Sequence, residues 1–248
     1  MPIMELQSET NAGYVPLYRQ IKRLITDALR SGEWAPGQSI PSEFELAQRY
    51  NVSQGTVRKA ISDLATQKLV VRHQGRGTFV ASHQIEPTKF PFLRLAPDVG
   101  PVVDVNANLI DFWRIKLDEL SASNLSVAAG STGWLIRRIL APEGVQTIYE
   151  EIRLPGQPFE VIEEKMLLDH NCMLYSMYEA VFGLRILYVE ERVKAVLGEG
   201  EIVDRLGLLD GSPLLRVDRI AYTYGDRPVE LRRSYCNTSN HHYRNQIV

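Results

Sequence analysis

Three successive segments near the start of the chain place apolar residues at helical spacing. In the first, they recur along one face of an amphipathic helix, at Leu17, Ile21, Leu24, Ile25, Ala28 and Leu29. The second, shorter face consists of Leu46, Ala47 and Tyr50. The third, which we expect to be buried, consists of Val57, Ala60, Ile61 and Leu64. The pattern predicts three helices, of which the first ends at Ser31 and Gly32.

Local capping signals separate the second and third helices. Ser42 and Glu45 form a capping box, in which each side chain accepts a bond from the backbone amide of the other residue. Asn51 can adopt the left-handed conformation that ends a helix, and Ser53 can cap the next helix by accepting from the amide of Thr56. Two capped helices joined by three or four residues are typical of a helix-turn-helix, although an ordinary helical hairpin has the same pattern.

The third helix keeps polar and basic groups off its apolar stripe, at Gln54, Gly55, Arg58 and Lys59. A short helix with such exposed first turns can enter the major groove of DNA. Residues 69–80 then hold two β-branched runs around a turn, which predicts a hairpin with basic and glycine residues at its tip, namely Arg72, Gly75, Arg76 and Gly77. A solvated turn is the simpler interpretation, but a basic hairpin directly after a helix-turn-helix favours a wing that contacts phosphates or a minor groove.

Charge is divided unevenly along the 248 residues, whose formal net charge is −2. Residues 14–81 carry 10 Lys and Arg against 5 Asp and Glu, whereas residues 82–248 carry 18 against 23. A basic module attached to an acidic one indicates that only the first contacts a polyanion. We expect a flexible tail at 1–13, a DNA-binding domain at 14–81, a proline-containing linker at 82–100 and a second domain at 101–248.

The second domain mixes strand and helix patterns. A strand is expected to begin at 102–105, and alternating or β-branched runs bounded by turn residues predict strands at 134–140, 147–154, 186–196, 214–224 and 228–235. Helical spacing predicts helices at 172–182 and 199–206. Strands paired through turns, with helices between them, predict an α+β fold built on an antiparallel sheet.

Residues 16–80 resemble the winged helix-turn-helix of the GntR superfamily of bacterial transcription regulators. The matching residues are Pro16-Leu17-Tyr18, Gly37, Ile40-Pro41-Ser42-Glu43, Glu45-Leu46-Ala47, Val52-Ser53, Thr56-Val57-Arg58 and Gly75 to Val80. The resemblance implies that the DNA-binding residues are Ser42, Glu43, Ser53, Gln54, Gly55, Thr56, Arg58, Lys59, Arg72, His73, Gly75, Arg76 and Gly77. The chain departs from the family at Phe44 and Gln54, where arginine is usual or frequent. Glutamine pairs with adenine and arginine with guanine, so we expect an operator that differs from the family's common motif.

Most of residues 101–240 resembles the UTRA ligand-sensing domain of the HutC-type branch, whose fold is similar to chorismate lyase. The match includes Arg138, Glu150 to Pro155, Leu174-Tyr175, Glu190-Glu191, Gly211 to Leu215 and Pro228-Val229-Glu230. The resemblance implies an effector pocket lined by Arg138, Glu150, Tyr175, Glu230 and Tyr235. For each of them, the alternative is an ordinary strand salt bridge or a packed tyrosine.

Two departures from the UTRA pattern bear on the effector. Leu140 stands where some sugar-phosphate sensors have a second arginine, and Met173 stands where serine often precedes the Leu-Tyr pair. A doubly charged phosphate is therefore disfavoured relative to a singly charged or more apolar molecule, such as a carboxylate that a single arginine can bind with two parallel bonds.

Other kinds of site have weaker support. Cys236, His241 and His242 do not fit a standard ligand spacing, so we expect no metal and no cofactor. The sequence contains no nucleophile elbow, phosphate loop or zinc-protease motif. Two cysteines without a motif, no long apolar run and no signal-peptide pattern predict a cytoplasmic protein that does not span a membrane.

These observations predict a homodimeric, sequence-specific DNA-binding transcriptional regulator, with repression as the expected mode, controlled by a small-molecule effector. One winged module makes few specific contacts, so useful affinity requires two half-sites. Two alternatives stay open: an enzyme of chorismate-lyase-like fold fused to a DNA-binding module, and a non-specific architectural DNA binder.

Overall fold

The computed structural model describes residues 15–82, 90, 92–101 and 105–245. The chain divides into two compact units, Met1–Ala81 and Ser82–Val248. The tail predicted at 1–13, residues 83–89 and 91 of the predicted linker, and residues 102–104 of the expected strand lie outside the described residues.

The part of the first unit that the structure describes contains three helices followed by a hairpin. The helices are α1 (Leu17–Arg30), α2 (Glu43–Tyr50) and α3 (Gln54–Thr66), and the strands are β1 (Val70–His73) and β2 (Gly77–Val80). Their shared core is formed by the residues that the helical spacing had marked, including Ile21, Ile25, Leu29, Leu46, Val57, Ala60, Ile61 and Leu64. Each of these side chains is nearly or fully buried. The burial of apolar surface is the main force that holds three short helices together. The predicted winged helix-turn-helix is confirmed.

The caps predicted between α2 and α3 are present. The Ser42 hydroxyl accepts from the Glu45 amide at 3.3 Å, and the Ser42 amide donates to the Glu45 carboxylate at 2.8 Å. Asn51 has a φ of 52° and ends α2 in the left-handed conformation. Ser53 accepts from the Thr56 amide at 3.2 Å, so that α3 begins at Gln54. These bonds satisfy amides that would otherwise lack partners and fix where the two helices begin.

The wing is an antiparallel pair in which Val70 lies opposite Val80 and His73 opposite Gly77. Gly77 has a φ of 105°, a conformation that side chains with a Cβ rarely adopt, so glycine is required where the chain leaves the turn. The amide of Ile40 donates to the carbonyl of Thr78 at 2.9 Å, which ties the segment before α2 to the second wing strand.

The second unit is built on a six-stranded antiparallel sheet with the strand order β4-β5-β6-β9-β8-β7. The strands are β4 (Val105–Lys116), β5 (Thr132–Pro142), β6 (Ile148–Pro155), β7 (Tyr188–Leu197), β8 (Pro213–Thr223) and β9 (Arg227–Asn237). A separate pair joins β3 (Leu95–Pro97) to β10 (His241–Tyr243). The helices are α4 (Glu119–Asn124), α5 (Glu164–Asp169), α6 (Leu174–Phe182) and α7 (Glu201–Leu206). The predicted α+β fold with an antiparallel sheet is confirmed.

The two faces of this sheet pack against different helices. On one face, Ile136, Ile152 and Leu154 pack with Leu174 and Tyr178 of α6. On the other face, two clusters form. The cluster with α7 consists of Ile139, Tyr149, Leu214, Val203 and Leu206. The cluster with α4 consists of Leu117, Ala122, Leu125 and Leu231. Because side chains alternate along a strand, residues opposite one another in the register share a face.

Several elements of the second unit were not predicted. Strand β4 extends to Lys116 at the edge of the sheet. Its residues are half-buried or exposed, so its sequence does not alternate clearly between apolar and polar positions. Helices α4 and α5, with six residues each, were also missed, whereas α7 of the same length was predicted. Strands β3 and β10 have three residues each and depend on pairing between distant segments.

Candidate functional site

The exposed surface of the first unit includes the first turns of α3. Gln54, Gly55, Arg58 and Lys59 are exposed, while Val57 between them is fully buried. The apolar stripe of α3 thus faces α1 and α2, and its polar residues face solvent. This geometry leaves the side chains that were expected to contact DNA accessible to a ligand as large as a duplex.

Glu43 joins α2, α3 and the wing. Its carboxylate accepts from Arg58 Nε at 2.8 Å and from Arg72 Nη2 at 3.1 Å. Arg72 also donates to the backbone carbonyl of Arg58 at 3.3 Å. Both arginines remain largely exposed, so these pairs contribute little to stability. Their consequence is geometric: Glu43 holds the two guanidinium groups close together on one surface.

The other predicted DNA-binding residues surround this group. Lys59 lies over the ring of Tyr18, 4.1 Å from its centroid, and His73 contacts Phe79 edge to face. Gly75, Arg76 and Gly77 form the exposed tip of the wing. The hydroxyls of Ser42 and Ser53 are engaged as helix caps, and that of Ser53 also contacts Thr56 at 2.8 Å. Phe44, at the start of α2, is 60% exposed.

A second candidate site is a cavity within the second unit that opens to solvent. Its floor is the face of the sheet that packs against α6, since Arg138 on β5 lies opposite Glu150 on β6, and Glu150 lies opposite Ser234 on β9. Half of the described lining residues are apolar: Phe90, Phe92, Leu93, Leu95, Leu140, Ile148, Leu174, Val217 and Cys236. The polar lining residues are Arg94, Arg138, Glu150, Tyr175, Glu191, Arg219, Arg232, Ser234 and Tyr243.

A continuous chain of buried ion pairs crosses the floor. Arg138 lies 2.7 Å from Glu150, and Arg232 lies between Glu150 at 3.2 Å and Glu230 at 2.8 Å. Ser234 donates to Glu150 at 2.8 Å, and Arg138 also donates to a backbone carbonyl at the start of the segment that leads into α6. Each of these charged side chains is at most 5% exposed. Buried charges are tolerated because every one of them is paired and hydrogen-bonded.

Two tyrosines of α6 extend this network of ion pairs. Tyr175 and Tyr178 donate to the Glu230 carboxylate at 3.0 and 2.8 Å. Glu230 is fully buried and does not line the cavity; it lies behind Arg232 and fixes that guanidinium from below. Truncating Glu230 would therefore remove a support of the cavity floor and no direct contact with a ligand.

A second ion pair lies towards the other side of the cavity. Arg219 on β8 donates from Nε to Glu191 on β7 at 2.7 Å and from Nη2 to the carbonyl of Phe92 at 2.6 Å. The hydroxyl of Tyr243 on β10 also donates to Glu191. The segment that carries Phe92 is thus bonded directly to an arginine of the sheet.

The electrostatics of the floor favour fixed charges. Burial alone would raise the pKa of Glu150, but Arg232 and Arg138 outweigh it and lower the pKa to about 2. Burial and the Glu230 carboxylate raise the pKa of Tyr175 to about 12, and burial raises the pKa of Cys236 to about 12. At neutral pH, Glu150 is ionised, whereas the tyrosine hydroxyl and the thiol are neutral. The floor is therefore an array of charges and hydrogen-bond donors that does not titrate near pH 7.

The structure brings together four of the five residues predicted for the effector pocket. Arg138, Glu150 and Tyr175 line the cavity, and Glu230 supports it. Tyr235 is a correction: it lies on the opposite face of the sheet, opposite Tyr149 in the register and with their rings 6.4 Å apart. One strand presents successive residues to opposite faces, so Glu230 and Tyr235 cannot share a pocket on one face of β9.

Several cavity residues were missed by the sequence analysis, namely Glu191, Arg219, Arg232, Ser234 and Tyr243. The signal for two of them was present, because Arg232 and Ser234 follow Glu230 at every second position of one predicted strand. Glu191 is among the residues that match the UTRA pattern, but its pairing with Arg219 could be identified only from the β7–β8 register, which places the two opposite one another.

The residues considered for a metal site are separated. Cys236 is buried in the cavity wall, whereas His242 bonds to Asp98 at 2.9 Å. Within residues 15–82, 90, 92–101 and 105–245, no three His, Cys, Asp or Glu side chains are grouped so that they could hold a metal ion. Of the helices described there, none has the length and apolar character that a membrane crossing requires.

Comparison with known proteins assigns both units. Residues 17–80 match the family of bacterial regulatory proteins called the gntR family, and residues 103–242 match the UTRA domain. The HTH-type transcriptional repressor NagR of Bacillus subtilis (strain 168) is 26% identical over 221 residues, which are 89% of this chain and 90% of that protein.

Solved structures show the same relationship. The ligand-binding domain of a protein from Bordetella bronchiseptica, described as a GntR-family transcriptional regulator, superimposes with a TM-score of 0.63 at 36% identity and covers 65% of this chain and 100% of its own. YydK from Bacillus subtilis superimposes with a TM-score of 0.55 at 19% identity, over 94% of this chain and 100% of its own, which shows a shared fold.

Proposed function

The chain belongs to the GntR family of bacterial regulatory proteins that carry a UTRA domain, and from this premise we propose that it is a repressor that binds a palindromic operator as a homodimer and releases it when a small molecule occupies the cavity. It is a DNA-binding transcriptional regulator with a C-terminal effector domain. The repressor activity, the homodimer, the effector-controlled release and the individual contacts are the proposal. A regulator of bacterial genes acts where the chromosome is, so we place it in the cytoplasm.

The observation that carries the proposal is the surface formed by α3 and the wing. Arg58 and Arg72 are exposed, close together and oriented by one carboxylate, with Lys59 and Arg76 nearby in the same module. Phosphate oxygens can compete with the half-buried Glu43 carboxylate for both guanidinium groups, which are themselves exposed. We assign phosphate contacts to these four basic residues.

Base readout is assigned to Gln54, which is exposed in the first turn of α3. Its amide can make two hydrogen bonds to adenine in the major groove. Gly55 beside it would allow the helix to approach the base edges closely. Ser42, Ser53 and the glycines of the wing have conformational or capping roles that position the contacting side chains.

The effector site is assigned to the cavity of the second unit, with Arg138, Glu150 and Tyr175 on its wall. Residues Phe90 and Phe92 belong to the segment that precedes β3, and both line the cavity. A molecule in the cavity would contact this segment as well as the sheet. Occupancy can therefore favour one arrangement of the segment, which is the condition for a ligand to shift an equilibrium between states.

We propose that the ligand is held and not converted. The cavity carboxylates Glu150 and Glu191 are each bonded to arginine. Glu150, whose pKa is lowered to about 2, has no proton to donate at neutral pH and is a weak base, so it is unsuited to general acid or base catalysis. The Glu191 carboxylate is already occupied, since it accepts from Arg219 and Tyr243. The fold that the UTRA domain shares with a lyase does not by itself imply turnover.

The test begins with selection of binding sites from random DNA by the full-length chain, followed by fluorescence anisotropy with the selected sequence. We expect an inverted repeat and a complex with two protein chains. Arg58→Ala should weaken binding by at least about tenfold, since the loss of a hydrogen bond to a charged group costs about 1.5–3 kcal/mol. Arg30→Ala, which removes an exposed arginine from the last turn of α1, is the matched control and should change affinity little.

Three results would contradict the proposal. Equal affinity for the selected sequence and for random DNA would indicate an architectural binder. A complex with a single chain would exclude the homodimer on the operator. Equal losses from Arg58→Ala and Arg30→Ala would mean that α3 makes only a diffuse electrostatic contribution.

A further inference from the structure

The charges around the cavity of the second unit are almost balanced within the protein. Among the described residues, four arginines line it, and three of them are paired: Arg138 and Arg232 with Glu150, and Arg219 with Glu191. Arg232 is paired a second time, with Glu230 behind it. Three arginines and three carboxylates therefore cancel. A ligand that enters this space does not meet a set of uncompensated arginines.

The fourth arginine supplies the excess. Arg94 lines the cavity, is exposed, and makes no ion pair with any carboxylate of the described residues. Its carbonyl accepts from the amide of Arg244 at 2.7 Å, which holds the backbone of this residue in place. Within the described lining, Arg94 thus supplies about one positive charge beyond the paired arginines and carboxylates, and this charge is exposed.

The remaining surface of the cavity does not require a highly charged occupant. Among the described residues that line it, none has a buried side-chain nitrogen or oxygen without a hydrogen-bond partner. The apolar half of the lining includes Phe90, Phe92, Leu140, Ile148, Leu174 and Val217. Apolar walls favour a ligand with an apolar body. A second negative charge would meet no further unpaired arginine among the described lining residues, because the other three are already bonded to carboxylates.

From this balance we infer that the effector is a small organic molecule with an apolar body and a single negative charge, a monocarboxylate, whose anionic end pairs with Arg94. A phosphate monoester is disfavoured, because it carries up to two charges at neutral pH. The inference rests on the proposed effector role of the cavity and specifies the ligand class. It also predicts that Glu191, which neutralises Arg219, excludes dianions.

The test compares three probes of similar size: benzoate, benzamide and phenyl phosphate. Isothermal titration calorimetry on the full-length chain without DNA should show benzoate binding at least about tenfold more tightly than either of the others, which is the effect of about 1.4 kcal/mol. Arg94→Ala should reduce the affinity for benzoate to that for benzamide. Arg205→Ala, a surface arginine of α7 outside the cavity, is the matched control and should leave all three affinities unchanged.

A second variant tests the balance itself. Glu191→Gln keeps the side-chain size and an oxygen that can accept from Arg219, but it removes one negative charge. The ratio of phenyl phosphate affinity to benzoate affinity should rise by about tenfold. Because the readout is a ratio within one variant, a general loss of affinity would not imitate it. Should this variant fail to fold, the comparison of probes on the wild-type chain still decides.

Three outcomes would overturn the inference: phenyl phosphate binding as tightly as benzoate, benzamide binding as tightly as benzoate, or no binding by any probe at about 10 mM, since a matched cavity should hold even a fragment at millimolar concentration. Addition of benzoate to the complex with operator DNA is measured separately. If benzoate binds selectively but does not alter DNA affinity, the ligand class stands and the proposed control of DNA binding fails.

Discussion

Glu150→Gln is the substitution that most directly probes the buried floor of the second unit. Glu150 is 3% exposed, lies between Arg138 and Arg232, and accepts from Ser234 at 2.8 Å. Glutamine has nearly the same shape but no charge. The substitution leaves both guanidinium groups buried with one carboxylate fewer, while it creates no cavity.

The loss of folding stability expected from Glu150→Gln follows from the pKa of Glu150. Burial would raise that pKa, but Arg232 and Arg138 lower it from 4.5 to about 2. At about 1.4 kcal/mol for each pKa unit, the ionised carboxylate contributes about 3 kcal/mol to folding at neutral pH. Removal of one partner from a buried ion pair typically costs about 3–5 kcal/mol. The two estimates agree, so we expect a loss of about 3 kcal/mol at pH 7.

The pH dependence distinguishes a charge effect from a packing effect. Since the folded pKa is lower than the unfolded one, the stabilisation is complete well above pH 4.5 and is lost as the pH falls towards 2. The stability difference between the wild type and Glu150→Gln should narrow by about 1 kcal/mol at pH 4 and by about 2 kcal/mol at pH 3.

Urea unfolding of the full-length chain at pH 7, 4 and 3 measures this difference. Trp113 and Trp134 lie in the second unit and report on it through their fluorescence. Glu163→Gln, which replaces an exposed carboxylate of the same unit, is the control and should change stability by less than about 0.5 kcal/mol. Equal stability of Glu150→Gln and the wild type at pH 7, or a difference that does not narrow on acidification, would refute the argument that this carboxylate is held ionised by two arginines.

Three further predictions concern the DNA-binding unit. Glu43→Gln weakens the hold of this residue on Arg58 and Arg72, so it should raise the affinity for random DNA several-fold and reduce the preference for operator DNA. Fluorescence anisotropy with both DNAs measures the two affinities, and an unchanged preference would exclude a positioning role for Glu43. Gln54→Arg should shift the selected bases from adenine towards guanine, and an unaltered selected-site profile would remove this residue from base readout. Ser53→Ala should cost about 1 kcal/mol in urea unfolding of the first unit, because it removes the cap of α3. Ser62→Ala, in the exposed middle of the same helix, is the control, and equal effects would mean that the cap contributes nothing.

The first unit could be predicted almost completely from sequence because its signals are local. The capping box at Ser42, the left-handed Asn51 and the cap at Ser53 each involve residues within four positions of one another. The apolar stripe of each helix then determines which face is buried. Side-chain contacts between elements were not predicted, and the pairing of Glu43 with Arg72 is the example, since it depends on how the wing folds back towards α2.

The cavity of the second unit was predicted less well because its residues meet through strand register. The network connects β5, β6 and β9, which are adjacent in the sheet although β9 is more than seventy residues from β6 in the chain. Sequence alternation identifies residues that share a face of one strand, which would have included Arg232 and excluded Tyr235. It does not identify which strand lies beside it, and for that reason the partner of each arginine could not be assigned.

The segment before β3 connects these observations to regulation. The guanidinium carbon of Arg138 lies 5.6 Å from the centroid of the Phe90 ring. The ring of Phe92 contacts the ring of Tyr175 edge to face. The carbonyl of Phe92 accepts from Arg219. A ligand in the cavity therefore shares its wall with a segment whose backbone is bonded to the ion-pair system and that follows the DNA-binding unit in the chain. A ligand that strengthens or breaks these bonds changes the populations of the conformations that the segment can adopt. A ligand that leaves the bonds unaltered can bind tightly in the cavity without any effect on DNA binding.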